Sequence, residues 1–259
     1  MTRARLPTFP VVLAGFAAFL DLYATQPLLP LLARTFDASA FQVGLTVTAP
    51  IIAVAIAAPI VGSVADRVGL RRMILTAAIA LTIATALAAT ATSLTQLIIW
   101  RFLQGIVTPG IFASTIAYIH EIWPASRAGR GTAAYMSGTV VGGFTGRAVA
   151  GVVAADATWH ESFIALAILN GLVAAALWMW LPSERAAGGT DHRPKPSTGA
   201  SAKAGAVGAL FTNRRLVATF GVGFCVLFTQ VAMFTYVTFL LAAPPYRWST
   251  VALGWLFVV

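Results

Sequence analysis

Long apolar runs broken by short polar or charged stretches dominate the chain. About 20 apolar residues are what an α-helix needs to cross the hydrocarbon of a bilayer. Such runs fall at 9–32, 41–64, 73–93, 95–119, 132–155, 161–181 and 216–242. An eighth starts near Ser249 and is still apolar at Val259. The pattern predicts an all-α integral membrane protein with a six-helix half over residues 1–182. A linker rich in Gly, Pro and Ser follows over 183–213, and residues 214–259 start a second half with span 7 and part of span 8. Six spans, a basic linker and a new block is the layout of a two-half transporter. The eighth run stops about ten residues short of a crossing at 1.5 Å per residue, so the chain reads as the front piece of a larger bundle.

Composition supports the membrane assignment. Of the 259 residues, 59% are hydrophobic and 10% charged, with mean hydropathy +0.85. A soluble domain carries roughly 25% charged residues. The net charge of +9 would suggest nucleic acid in a soluble protein, but its distribution argues otherwise. With the N-terminus in the cytoplasm, thirteen of the seventeen Lys and Arg residues fall in inside segments and only Arg34 and Arg247 outside. That is the bias of cytoplasmic loops. It predicts a multi-pass protein of the plasma (inner) membrane, with the lipid bilayer and not nucleic acid as its partner. Cys225 is the only cysteine, which excludes a disulfide framework or a cysteine-rich metal site.

Ionisable residues inside spans are costly and mark function by default. Three stand out: Asp21 near the midplane of span 1, Arg101 in span 4 and Arg147 in span 5. Their similar depths suggest an Asp21–Arg pair in a central aqueous cavity on a proton or substrate path. The alternative is that each arginine satisfies backbone carbonyls or snorkels outward. Two cations and one anion favour an anionic or polar substrate. Gln104 and Thr108 share a helix face with Arg101. In span 1, Tyr23 and Gln26 are either substrate contacts or packing hydrogen-bonders, and Pro27 and Pro30 are expected to bend its outer half. Asn170, Gln230 and Tyr236 stand under the same two readings. In span 5, Gly138, Gly142 and Gly146 recur every four residues as a helix-packing seam, with Gly143 and Gly151 flanking Arg147 on the next stripe. The loop between spans 2 and 3 carries Gly62, Asp66, Arg67, Gly69, Arg71 and Arg72, a charged set able to make and release contacts between bundles.

Enzymatic chemistry finds little support. His120, His160 and His192 all lie in or beside loops, and neither lysine follows a glycine as a phosphate loop requires. No cofactor or metal is expected. A seven-span receptor predicts an outside N-terminus, against the charge count.

Gly62-x-x-Ala65-Asp66-Arg67-x-Gly69-x-Arg71-Arg72 resembles the signature of the major facilitator superfamily between spans 2 and 3, departing from it at Leu70. Arg101-x-x-Gln104-Gly105 resembles the fourth-span motif associated with proton coupling in family antiporters. The segments Leu22–Pro30 and Gly138–Arg147 look most like the YnfM-type subgroup, described with arabinose efflux permeases. The resemblance implies twelve helices in two six-helix halves, each a pair of inverted three-helix repeats. It implies alternating access, a small-molecule substrate, protons as the coupling partner, and dependence on the helices of the second half.

Overall fold

The computed structural model describes residues 7–182 and 214–258. The expected linker 183–213 lies outside the described residues, as do Arg3 and Arg5. Among the described residues all regular structure is helical: α1 Thr8–Leu20, α2 Leu29–Thr35, α3 Ala40–Val68, α4 Leu70–Ala88, α5 Leu94–Ile122, α6 Ala125–Asp156, α7 Trp159–Trp180, α8 Arg214–Ala242 and α9 Thr250–Trp255. Six of these, α3 to α8, are long and apolar enough to cross a membrane.

Span 1 is broken where a continuous, bent helix was expected. α1 stops at Leu20, residues 21–25 form a turn, and a short 3-10 segment at Gln26–Leu28 leads into α2. The prolines supply the cause. Pro27 and Pro30 lack the N–H groups that the carbonyls of Tyr23 and Gln26 need four residues on. Those carbonyls take the amides of Gln26 and Leu29 instead, three residues on.

Short polar signals separate the helices. Ser39 with Gln42, and Thr158 with Glu161, form capping boxes at the starts of α3 and α7. Ser93 and Ser249 cap α5 and α9. Between α3 and α4 a single residue, Gly69, turns the chain at φ 95°, a conformation that a side chain disfavours.

α1 lies at the centre of the first six spans, against α5, α6 and α7; α3 packs on α5, and α4 bridges α5 and α7. This pattern maps onto itself when spans 1, 2 and 3 are exchanged with spans 4, 5 and 6. Bare backbone approaches repeat the exchange. A Cβ on Gly15 of span 1 would meet the Tyr135 carbonyl of span 5, and one on Gly105 of span 4 the Pro50 carbonyl of span 2. The closest seam joins α1 and α6. Side chains at Gly138, Gly142 and Gly146 would collide with the carbonyls of Val12, Phe16 and Leu20. Close approach of this kind replaces the hydrophobic driving force that lipid does not provide. α8 stands apart from that bundle, with Thr235 and Thr238 its only buried residues among those described. α9 lies on α6, where Gly151 and Gly254 approach each other with no side chain between.

The seam yields a paired prediction. Gly146→Val should lower the melting temperature in detergent strongly or prevent folding, because the carbonyl it meets belongs to a helix that cannot yield. Gly62 has nothing within 4 Å of a built Cβ, so Gly62→Ala should be neutral or stabilising by up to about 1 kcal/mol. Equal melting temperatures for the two variants would contradict the seam.

Candidate functional site

The break in span 1 presents two polar stations. The first is wholly buried. Asp21 Oδ2 accepts hydrogen bonds from the Thr85 hydroxyl and from Asn170 Nδ2, both at 2.6 Å. Asp21 Oδ1 and Asn170 Oδ1 have no partner among the described residues. The Thr85 hydroxyl also lies 2.8 Å from the Leu81 carbonyl, so its one hydrogen has two acceptors to choose between. Its oxygen accepts from Gln104 Nε2 at 2.8 Å.

Arg101 sits beside this carboxyl but does not pair with it. Its Nη1 donates to the main-chain carbonyl of Asp21 at 2.7 Å and to Gln104 Oε1 at 2.6 Å. Nη2 donates to the Leu22 carbonyl at 2.7 Å, and Nε to the Thr46 carbonyl at 2.9 Å. The reason lies in the chain. Ending α1 at Leu20 costs the carbonyls that follow their partners four residues on, leaving the Asp21 carbonyl a 3.1 Å bond from the Ala24 amide, and Pro50 removes the N–H that Thr46 would have met four residues on. Carbonyls short of helical partners in a membrane interior need donors, and the planar five-donor guanidinium supplies them. The expectation of an Asp21–Arg ion pair in an aqueous cavity is therefore corrected. Arg101 is fully buried and bound to backbone, which is the other reading of the same residue.

The second station is Arg147. Its Nε donates to Gln26 Oε1 at 2.7 Å and its Nη1 to the Gly143 carbonyl at 2.9 Å. The rings of Tyr23 and Phe257 lie 4.8 and 4.6 Å from its Cζ. Gln26 in turn reaches Thr235 Oγ1 of α8 at 3.4 Å. These residues border a cavity of about 490 Å³ between span 1, α6, α8 and the residues after α9. Its polar lining comprises Tyr23, Gln26, Thr139, Arg147 and Gln230. Asp21 and Arg101 do not line it, so among the described residues the charge facing this space is Arg147 alone rather than two cations and an anion.

The charged loop divides. Arg71 donates to the Leu181 carbonyl at 2.6 Å through Nε and to the Trp178 carbonyl at 3.1 Å through Nη2. It thus caps the C-terminal end of α7, as a cation at the negative end of a helix dipole should. The Tyr118 hydroxyl donates to the Pro182 carbonyl beside it at 2.8 Å. Gly62, Asp66, Arg67 and Arg72 are exposed, and Asp66 makes no hydrogen bond or ion pair among the described residues. Gly143 lies beside Arg147, while Gly151 takes part in the crossing with α9.

Thr85 and Arg71's role as a cap were missed from sequence. A Thr sharing the apolar face of span 3 gives little signal, since most membrane threonines bond their own helix. Arg71 could have been found, because cations near a helix end with free carbonyls are a known partnership. Among the described residues no group of three or more His, Cys, Asp or Glu gathers to hold a metal.

Six helices long and apolar enough to cross a membrane, packed around an interrupted first span with a buried carboxyl beside it, define a polytopic membrane helix bundle. The profile of the Major Facilitator Superfamily matches residues 11–259, and the chain belongs to that family. It is 25% identical over 252 residues to the uncharacterized MFS-type transporter YybF of Bacillus subtilis, covering 97% of this chain and 61% of that protein. It is 27% identical over 254 residues to the inner membrane transport protein YnfM of Escherichia coli, covering 95% and 58%. The chain thus spans about three fifths of the length of these relatives. Among solved structures, a bacterial homologue of the human lysosomal transporter Spinster, inward-facing and unoccupied, superposes with TM-score 0.76 at 17% identity, over 96% of this chain and 57% of that one. The nucleoside transporter NupG gives 0.72 at 15% identity over 98% and 63%. These likenesses establish the fold.

Arg101→Met should cost several kcal/mol, since each buried carbonyl left unsatisfied costs about 1–3 kcal/mol. Arg101→Lys, a single ammonium without the fork, should recover only part of that. Thermal unfolding in detergent checks both; a wild-type melting temperature for Arg101→Met would show that the carbonyls find other donors.

Proposed function

We propose that this chain supplies the first half, the linker and the start of the second half of a secondary transporter of small molecules. The cycle is alternating access, coupled to protons as efflux by antiport, in the inner membrane with the N-terminus cytoplasmic. Family membership supports the transport reading. The coupling reading rests on one observation: among the described residues, a buried carboxyl in a broken span is hydrogen-bonded by neutral side chains, beside but not bonded to Arg101, with one oxygen unpartnered.

The surroundings let Asp21 take up and release a proton without large movement. With Asp21 ionised, the Thr85 hydroxyl donates to it. With a proton on the carboxyl, the Thr85 hydrogen turns to the Leu81 carbonyl, which already lies within reach. Gln104 transmits the change, because its amide spans Thr85 and Arg101, and Arg101 holds the backbone of the break. That same break carries Tyr23 and Gln26 to the cavity, so proton and substrate sites share one short segment. The exposed Asp66, Arg67 and Arg72 serve as a contact surface remade as the halves rock.

Flux in this reading needs two halves. The relatives extend well beyond the part this chain matches, and residues 1–259 alone are expected not to move substrate. With second-half helices present, accumulation in everted vesicles should collapse when the pH gradient is dissipated. Indifference to the gradient would remove the coupling claim. Asp21→Asn should lose at least ten-fold of gradient-driven accumulation while keeping substrate exchange at equilibrium, and wild-type accumulation would return Asp21 to a structural role. Asp66→Asn should lower turnover at unchanged half-saturation; a change in half-saturation alone would contradict the contact-surface role.

A further inference from the structure

The cavity at Arg147 has a chemistry that narrows the substrate, and the inference rests on the transport reading only for calling the ligand a substrate. A guanidinium has five N–H donors. Two are engaged, by Gln26 and by the Gly143 carbonyl. The remaining three, both on Nη2 and one on Nη1, have no acceptor among the described residues, and no carboxylate among those residues pairs with Arg147. Among the described residues Arg147 is also the only charged one bordering the cavity. A cation with spare donors in a largely apolar space is incomplete without an anion.

The surroundings fit an anion with an apolar body. The Tyr23 and Phe257 rings lie 4.8 and 4.6 Å from the guanidinium carbon and shield it from water. Spare guanidinium N–H groups are what a carboxylate meets bidentately. Around it the walls are mainly aromatic and aliphatic, with Phe19, Phe144 and Phe234 among them. Beyond the arginine and its Gln26 partner, Gln230 and Thr139 add neutral polar groups, enough for one amide or hydroxyl on the ligand. No second cation borders the space to balance a dianion. A volume of about 490 Å³ lies toward the small end of the range for ligand pockets, roughly 300–1,000 Å³.

We propose that this cavity binds amphipathic organic monocarboxylates, with the carboxylate on the spare N–H groups of Arg147 and an apolar body against the phenylalanines. Tyr23 and Gln26 are positioning residues that hold the guanidinium in place.

The test is equilibrium binding to the 259-residue chain in phosphatidylcholine nanodiscs, with no gradient imposed. Three probes share one body: 4-phenylbutyrate, its neutral amide and 4-phenylbutylamine. The acid should bind saturably and at least ten-fold tighter than the amide, and the amine should not saturate. Arg147→Gln should weaken the acid at least ten-fold and narrow its advantage over the amide, with Arg147→Lys between. If Arg147→Gln fails to fold, the acid–amide–amine series on the unaltered chain decides alone. The proposal is overturned if the acid does not bind, if the amide or amine binds as tightly, or if a folded Arg147→Gln binds the acid like the unaltered chain. Failure of the transport reading looks different: Arg147-dependent binding of the acid would stand while gradients moved no substrate through the completed two-half protein.

Discussion

One guanidinium holds the centre of this bundle together. Arg101 donates to main-chain carbonyls of two spans, Asp21 and Leu22 from the break in span 1 and Thr46 from the proline site of the continuous α3 in span 2. In water such carbonyls would be solvated; inside a bilayer they would not. The interruption of span 1 is therefore tolerable only because a rigid, multi-donor cation arrives from span 4. Everything functional hangs on that interruption. It turns Asp21 toward Thr85 and Asn170, and a few residues later it delivers Tyr23 and Gln26 to the cavity.

The two arginines of the core divide the labour by what they leave unused. Four of the five donors of Arg101 are taken by backbone and by Gln104, so it acts as structure and as a relay. Arg147 keeps donors in reserve and stands at a space large enough for a ligand. Equal residue types at similar depth thus take different roles because one lies among orphaned carbonyls and the other beside glycines that leave room around its side chain.

Much of this was readable from the chain. Seven of the eight apolar runs became helices close to their expected limits, because length and hydropathy are nearly sufficient when the solvent is lipid. The four-residue glycine period in span 5 corresponds to the seam against α1, since small residues at that spacing admit a neighbouring backbone. The roles of the charged groups were less legible. Sequence placed Asp21 and Arg101 at similar depth and suggested an ion pair. It could not show that Pro50 frees a carbonyl on the facing helix, nor that the turn at 21–25 offers two more. Both are properties of helices meeting in space. Thr85 was invisible for the same reason, as its role depends on a neighbour 64 residues away.

The division within the charged loop has a consequence in terms of ionic strength. Arg71 is bound to neutral carbonyls at the end of α7, a short-range contact that dissolved salt screens little. Asp66, Arg67 and Arg72 stand in solvent, where any ionic contact they form is screened within about 8–10 Å at physiological salt. The single stretch Asp66–Arg72 therefore combines an anchor insensitive to the ionic medium with a surface whose grip varies with it. The helices it joins stay in place while the contacts they offer outward are weakened or strengthened by the ionic composition of the medium they face.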